Sequence, residues 1–373
     1  MGHIVGHESE TTGAEMRFTT RQVLRLVLAA VLTTVTGLFA LPTADACACG
    51  GMFVREGSSL TVPTEKALVV HSGGRTDVTM SLLVRSEVGD AGLVVPTPAP
   101  ATVSLADNDT FLALDRATRP IRKDRWHLIG SDGDTGVSGA ATRDGAPAGS
   151  GVQELSSIDL GPLRATTLKA GDPASLRQWL STRGYTVRPA VQHILDQYVA
   201  KGWAFVAMQL TSAGRKLDGG IPPVTMSYAD KQFVYPMLLS QAATIDPVVT
   251  TYVLSDRRVQ RTDSSARSTS VETRFAADMR KRRGTVTAPI RDAVAKAPYL
   301  TVLEQGFDAP HKQIVSDFTF GRAATDAEHI PVAYNDKYVF TPAQFTFVVF
   351  ALVAMMVGTV VLVDRRRRTR SAA

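Results

Sequence analysis

The residues best suited to chemistry are the two cysteines of the chain, Cys47 and Cys49, in the stretch "ADACACGG". In an oxidising compartment such a pair tends to form a disulfide. A ring closed across one intervening residue is small, strained and easily reduced. Two thiolates at this spacing would also suit a soft ion such as Cu(I). The pair therefore predicts a local disulfide or, as the alternative, a soft-metal site.

An apolar run just before this pair predicts that the cysteines leave the cytoplasm. Residues 23–41 are mostly apolar, with Arg17 and Arg21 before them and Arg25 at their start, and they precede the sequence Ala44-Asp45-Ala46. A basic start, an apolar middle and an Ala-x-Ala site describe a secretory signal peptide. We therefore predict a leader and signal peptide over residues 1–46 and a mature chain that begins at Cys47.

Three alternatives to this interpretation of the N-terminus stay open. The apolar run could be retained as a membrane helix. Translation could begin at Met16 and not at Met1, which would give a signal peptide with a more basic start. Cys47 could carry a lipid, although Ala44 and the charged Asp45 stand where an apolar residue and a small neutral residue would be expected.

A second apolar segment predicts a membrane anchor near the C-terminus. Residues 345–363 are 19 residues without a charge, about 28 Å of helix, which matches a hydrocarbon core of about 30 Å. Residues 364–373 follow and contain five arginines. By the positive-inside rule this tail is cytoplasmic and residues 47–341 lie outside. We predict a single-pass protein of the cell membrane with a transmembrane helix over residues 342–363.

The net charge does not indicate a nucleic-acid-binding protein. The formal charge is +6, but most of it lies in the C-terminal tail. The rest of the mature chain is only slightly basic and offers no extended basic face. One basic cluster, "MRKRRG" at residues 279–284, is typical of a solvated loop or of a contact with anionic cell-surface polymers. The predicted partners are the membrane and an unknown envelope protein or polymer, with no nucleic acid.

The pattern between the two apolar segments predicts an α+β fold: antiparallel sheets with a helix pair, plus the C-terminal transmembrane helix. A hairpin turns at Gly73-Gly74, and the two helices begin at Pro173 and Pro189. Strands at residues 203–210, 224–228, 232–239 and 248–254 are expected to form one antiparallel sheet with the helices on one face. Residues 130–157, rich in glycine and serine, predict a flexible loop inside a single domain over residues 47–341.

Motifs for enzymatic chemistry are not evident in the sequence. It contains no His-Glu-x-x-His pair, nucleophile elbow, phosphate-binding loop or dinucleotide fingerprint. The stretch "GSDGDTG" at residue 130 resembles part of a calcium loop but lacks the distant glutamate. His193 lies among apolar residues in a predicted helix, which is typical of a structural histidine. We therefore predict no catalytic residue and no cofactor.

Several blocks resemble the DUF2330 family of bacterial proteins. They are "ACGG" after the signal peptide, "GLVVPTPAP", "TFLALDRATRP", "LRQWLSTRGYTV", "QYVAKGWAFVAMQL" and "VTMSYADKQFVYPMLLS", followed by a late membrane helix. The resemblance implies a secreted or membrane-anchored bacterial protein and assigns no catalytic residue. The positions that carry it are Cys49, Gly50, Gly51, Trp179, Leu180, Gly184, Tyr185, Tyr235 and Pro236.

Taken together, these patterns predict a membrane-anchored extracytoplasmic protein with a non-catalytic binding domain of the bacterial cell envelope. The alternative is an envelope redox or copper protein that uses Cys47 and Cys49.

The state of the cysteines can be tested by intact mass. The chain purified from membranes should begin at Cys47, carry no lipid and be about 2 Da lighter than the reduced form, because a disulfide removes two hydrogens. The measurement compares the native protein with a reduced and alkylated sample. Free thiols with bound copper would favour the metal site, and a diacylglycerol mass on Cys47 would contradict both predictions.

Overall fold

The computed structural model describes residues 51–55, 58, 60–86, 89–129, 154–159, 163–168, 173–185, 187–211, 219–230 and 232–370. The predicted leader and signal peptide (residues 1–46), Cys47 and Cys49 lie outside these ranges. So do residues 130–153 of the predicted loop, whereas residues 154–157 lie in a strand.

A five-stranded antiparallel sheet forms one layer of the fold. Its strands, in spatial order, are β1 (Gly51–Phe53), β4 (Asp90–Thr97), β9 (Ala204–Thr211), β8 (Leu163–Leu168) and β7 (Glu154–Asp159). The central strand β9 has the nearly continuous apolar sequence "AFVAMQLT" and is buried along most of its length. Such a sequence is typical of a strand that is covered on both faces.

An eight-stranded sheet forms the second layer. Its spatial order is β15 (Glu272–Asp278), β16 (Tyr299–Gly306), β13 (Val248–Ser255), β2 (Leu60–Ser72), β3 (Arg75–Ser86), β11 (Val224–Ala229) and β5 (Thr102–Leu105), with β10 (Gly219–Gly220) beside β3. The β2–β3 hairpin turns at Gly73 and Gly74, whose φ angles of +59° and +71° favour glycine. The β2–β13 pair at the middle of the sheet is parallel.

Two smaller sheets complete the described strands. One contains β12 (Val234–Tyr235), β17 (Phe318–Arg322) and β14 (Val259–Arg261). The other, which we call the ribbon, pairs β6 (Ile121–Ile129) in parallel with β18 (Val332–Phe340). Most of the ribbon's side chains are exposed.

The α-helices are α1 (Thr110–Ala117), α2 (Pro173–Thr182), α3 (Pro189–Ala200), α4 (Ala288–Lys296), the single turn α5 (Pro310–Gln313) and α6 (Pro342–Arg370). Three 3-10 helices cover Leu238–Ala242, Ser265–Arg267 and Met279–Thr285. Proline opens α3 after an extended Arg188, and Gly202 with φ +73° reverses the chain after it. Proline at the first turn costs no hydrogen bond, because that N–H has no partner within the helix.

The helices and sheets stack in four layers around three groups of buried residues. The two large sheets face each other across the main core, which includes Val69, Met80 and Val206. Helices α1 and α4 cover the outer face of the eight-stranded sheet, where Leu114 and Ile290 meet Leu254. The pair α2 and α3 covers the five-stranded sheet through a third group. Both large sheets are therefore buried on both faces.

The predicted fold class, α+β with antiparallel sheets, a helix pair and one long apolar C-terminal helix, is confirmed. The prediction that strands at residues 203–210, 224–228, 232–239 and 248–254 share one antiparallel sheet is wrong. The structure divides them among three sheets, and a 3-10 helix replaces the strand from Leu238 onward. The β2–β13 and ribbon pairings are also parallel and not antiparallel. Local sequence indicates a strand but not its partner, because pairing is decided by distant residues.

A buried carboxylate, Asp317, ties the small three-stranded sheet to helix α3. It accepts hydrogen bonds from the hydroxyl of Tyr198 and from the backbone N–H groups of Met237, at 2.9 Å, and Leu238, at 3.0 Å. Lys201 adds a longer contact of 3.5 Å. Hydrogen bonds to a buried charged group stabilise more than neutral ones do. Asp317 therefore fixes the turn after β12 against the helix pair.

Substitution of Asp317 by alanine should lower the free energy of unfolding by about 3 kcal/mol or more, because three buried donors lose their acceptor. The measurement is urea denaturation of the detergent-solubilised chain. The matched control is Asp256→Ala, whose side chain is 90% exposed and whose loss should change the value by less than about 0.5 kcal/mol. Equal denaturation midpoints for the two variants would contradict this role.

Candidate functional site

The predicted cysteine site cannot be described from the structure. Cys47 and Cys49 lie outside the described residues, as does Gly50, and the described chain resumes at Gly51. Gly51 begins β1 and pairs with Val94. Among the described residues, no group of three or more histidine, cysteine, aspartate or glutamate side chains is placed to hold a metal ion.

The Trp-Leu and Gly-Tyr block of the sequence resemblance is part of the apolar core. Trp179 and Leu180 of α2 pack with Tyr185 against the five-stranded sheet. Gly184 has φ +75°, which turns the chain so that the Tyr185 ring lies over Gly92. A Cβ at Gly92 would stand 2.9 Å from that ring. Burial, aided by the nearby charge of Asp90, raises the pKa of Tyr185 to about 12, so its hydroxyl remains protonated.

The Tyr-Pro block is also buried. The hydroxyl of Tyr235 donates a hydrogen bond to the carboxylate of Glu65, and both side chains are inaccessible to solvent. Glu65 is the one acidic residue of β2, and the sequence pattern did not single it out. Its one signal in the sequence was an acidic residue within a predicted strand. The pair lies too deep for a ligand to reach, so its role is structural.

A buried ion pair, Arg261 with Asp263, was likewise not anticipated. The two side chains are each 2% exposed and form paired hydrogen bonds of 2.5 and 2.7 Å. The guanidinium carbon of Arg261 lies 3.2 Å from the centre of the Phe318 ring. Burial lowers the pKa of Arg261. Burial would raise the pKa of Asp263, but Arg261 and the Thr319 N–H together lower it. Because both side chains are buried and bonded to each other, we assign the pair a structural role.

The histidines are dispersed over the fold. His71 stacks on Phe233, with ring centroids 4.5 Å apart, and contacts Thr76. His127 lies on the ribbon, 2.8 Å from Asp336. His329 exchanges two backbone hydrogen bonds with Ala276. His193 lies in α3, as the sequence predicted, and is exposed.

A concave site among the described residues is a cleft beside α4, which we call the arginine cleft. Its volume is about 600 Å³. It lies between the 3-10 helix Met279–Thr285, which contains the basic cluster, and helix α4. The lining residues are Met279, Arg280, Arg283, Val286, Arg291, Val294, Ala295 and Pro298. The cluster is therefore an ordered wall of a cleft and not an irregular loop.

The positive charge of the arginine cleft is only partly compensated. Arg280 is held by Asp278, with its Nη2 2.7 Å from the carboxylate. This hydrogen bonding lowers the pKa of Asp278 and raises that of Arg280. Arg283 and Arg291 are exposed and form no salt bridge with any residue that the structure describes. Two guanidinium groups are thus available to an incoming anion.

The lining of the arginine cleft supports binding more than catalysis. It contains arginine, apolar residues and a proline, but no serine, cysteine, histidine, lysine or carboxylate side chain. General acid–base and nucleophilic catalysis need a group of that kind within reach of the substrate. Guanidinium forks suit carboxylate and phosphate oxygens. The cleft therefore fits a ligand with anionic groups and an apolar part.

The comparisons with known proteins bear on the family and not on an activity. No curated protein matches the chain. Among solved structures, baculovirus P35 aligns with a TM-score of 0.30 and 8% sequence identity, over 74% of this chain and 97% of its own. A likeness this distant carries no inference. The family described as "Uncharacterized protein conserved in bacteria (DUF2330)" matches residues 43–321. The chain therefore belongs to the DUF2330 family, as its sequence blocks predicted.

Proposed function

We propose that the chain is a single-pass membrane protein whose folded domain lies on the outer side of the cytoplasmic membrane and binds an anionic envelope partner without catalysis. The observation that carries this proposal is helix α6. This helix is long enough and apolar enough to cross a bilayer, and its apolar stretch is not buried against the described part of the protein.

The setting of α6 supports a membrane anchor over a core helix. A core helix of a soluble protein would bury its apolar residues, but the side chains of Phe347 and Phe350 are 74% and 70% exposed. The energetic penalty of such exposure in water is about 25 cal/mol per Å² of apolar surface. Arginines at the C-terminal end of α6 favour a cytoplasmic tail by the positive-inside rule. The folded domain is then extracytoplasmic.

The arginine cleft supports the proposed binding role. Arg283 and Arg291 present positive charge beside the apolar Val286 and Val294. An anionic polymer with phosphate or carboxylate groups would find guanidinium partners there. Exposed ion pairs are individually weak, so repeated anionic groups would favour a polymer over a small ion. We therefore propose an anionic envelope polymer as the partner.

The alternative function, redox or soft-metal chemistry at Cys47 and Cys49, depends on residues outside the described structure. Nothing in the described part of the chain favours it, so the binding role is the one we propose. The cysteine pair remains a prediction of the sequence.

The anchoring role predicts a clear change on truncation. The full chain should stay with the membrane after alkaline carbonate extraction, whereas a chain that ends at Phe340 should be released, because the truncation removes the apolar helix. A second chain, with arginines 365–368 replaced by alanine, is the control and should stay membrane-bound. Release of the full chain by carbonate would contradict anchoring.

The binding role predicts a loss of affinity in the variant Arg283→Ala/Arg291→Ala. With long-chain inorganic polyphosphate as the probe, Kd should rise at least about tenfold, or about 1.4 kcal/mol, and the difference should shrink in high salt.

The matched control for this experiment is Arg85→Ala/Arg177→Ala, which removes the same charge away from the cleft. Its Kd should change by less than about threefold, because exposed charges contribute little unless they contact the ligand. Equal weakening in the two double variants would show that net charge and not the cleft binds the polymer, and would contradict the proposed site.

A further inference from the structure

The ribbon has an unusual position in the fold. It stands outside the four layers, and only Thr341 separates the end of β18 from helix α6. Because its strands are parallel, both run from the domain toward α6: the register pairs Val332 with Ile121 at one end and Phe340 with Ile129 at the other. Two-stranded sheets are marginally stable in water, and parallel sheets are usually covered. The ribbon is therefore expected to have a covering surface.

One face of the ribbon carries a network of polar contacts between the two strands. Arg125 donates to Asp336 at 2.6 and 3.0 Å, and His127 approaches the same carboxylate at 2.8 Å. The His127 ring also stacks on Tyr338. The hydrogen bonds of Arg125 and His127 lower the pKa of the Asp336 carboxyl group. This face, which we call the histidine face, also carries exposed apolar side chains, namely Ile129 at the end nearest α6 and Ile121, Val332 and Tyr334 toward the other end.

The opposite face carries exposed apolar side chains. Since alternate residues of a strand share a face, it contains Arg122, Asp124, Trp126, Leu128, Ala333, Asn335, Lys337 and Val339, and we call it the tryptophan face. Asp124 and Asn335 bond across it at 3.1 Å. Trp126, Leu128 and Val339 are 67%, 59% and 53% exposed. All three lie in the half of the ribbon nearest α6, and the charged Arg122 and Asp124 lie in the other half.

We propose that the tryptophan face lies against the lipid headgroup layer of the membrane that α6 crosses. This inference rests on the anchoring part of the proposed function. Trp126 pairs with Lys337, four residues before Thr341. At about 3.3 Å per residue, it is about 13 Å along the chain from Thr341, the residue that precedes α6. An inclined ribbon then places Trp126, Leu128 and Val339 at the membrane surface.

Three observations select a lipid surface as the occupant. The Phe340 ring, at the α6 end of the histidine face, contacts the Phe345 ring, with centroids 6.4 Å apart, so the apolar helix packs directly against the end of the ribbon nearest to Trp126, Leu128 and Val339. Tryptophan and tyrosine are enriched at membrane interfaces, where an apolar ring meets polar headgroups. The described ribbon holds four basic and two acidic side chains, which favours anionic lipid, each basic group near the surface adding about 1 kcal/mol.

Quenching of tryptophan fluorescence by brominated lipid tests the proposal. The full chain is reconstituted in vesicles of phosphatidylcholine and phosphatidylglycerol, with the phosphatidylcholine brominated near the headgroup end of its acyl chains. The chain has three tryptophans, and Trp179 is buried in the domain. We expect brominated lipid to quench part of the emission. That part should disappear in Trp126→Phe and persist in the control Trp203→Phe, whose ring packs on Tyr198 inside the domain.

Other outcomes separate the ways in which the inference can fail. If the chain floats with the vesicles but brominated lipid does not quench it, or quenches Trp126→Phe equally, the tryptophan face is not on the lipid and the inference falls while anchoring stands. If the emission of Trp126 responds only to the protein-to-lipid ratio, a second copy covers the face, and this also overturns the inference. If the chain does not float with the vesicles, the anchoring proposal itself fails.

Discussion

Helix α6 has a long apolar stretch that the described part of the protein leaves unburied, and this exposed surface constrains where the molecule can reside. Such a surface is unfavourable in water in proportion to its area, and the residues that the structure describes do not cover it. A membrane removes this penalty without requiring a partner protein. The position of the helix also determines the surroundings of the ribbon, because only Thr341 connects strand β18 to α6.

The layered domain can be understood as the scaffold that holds two different surfaces. Both large sheets are covered on both faces, so they bury their apolar residues and leave little surface for ligands. The accessible features lie at the periphery. The arginine cleft lies where α4 meets the 3-10 helix Met279–Thr285 beside the eight-stranded sheet. The two ribbon strands follow α1 and the segment after His329 in the sequence. Buried carboxylates such as Asp317 and Glu65 hold the connections in place.

The features that the sequence predicted well have local causes. The Gly73-Gly74 turn, the helices that open at Pro173 and Pro189, and the uncharged C-terminal run each depend on a few neighbouring residues. Turn glycines, first-turn prolines and a long apolar stretch can be recognised in the sequence without knowing which distant residues they contact. The family resemblance also depended on short local blocks and is confirmed over residues 43–321.

The features that the sequence did not predict depend on distant pairs. Strand β2 pairs with β3 and also with β13, some 180 residues later, and Asp336 meets Arg125 across 211 residues. The ribbon strand "IRKDRWHLI" mixes charges with apolar residues and has no core face, so its alternation does not indicate a strand. The basic cluster was recognised in the sequence, but its place in a cleft depends on Arg291 and Val294 of α4, whose proximity only the fold establishes.

Cysteine labelling in intact cells tests whether the chain crosses the membrane once with its folded domain outside. In a chain with Cys47 and Cys49 replaced by serine, a membrane-impermeant maleimide is applied to Asp256→Cys in the domain and to Ser371→Cys in the tail. We expect Asp256→Cys to be labelled in intact cells and Ser371→Cys to be labelled only after permeabilisation. Labelling in the reverse order, or labelling of neither position before permeabilisation, would contradict this topology.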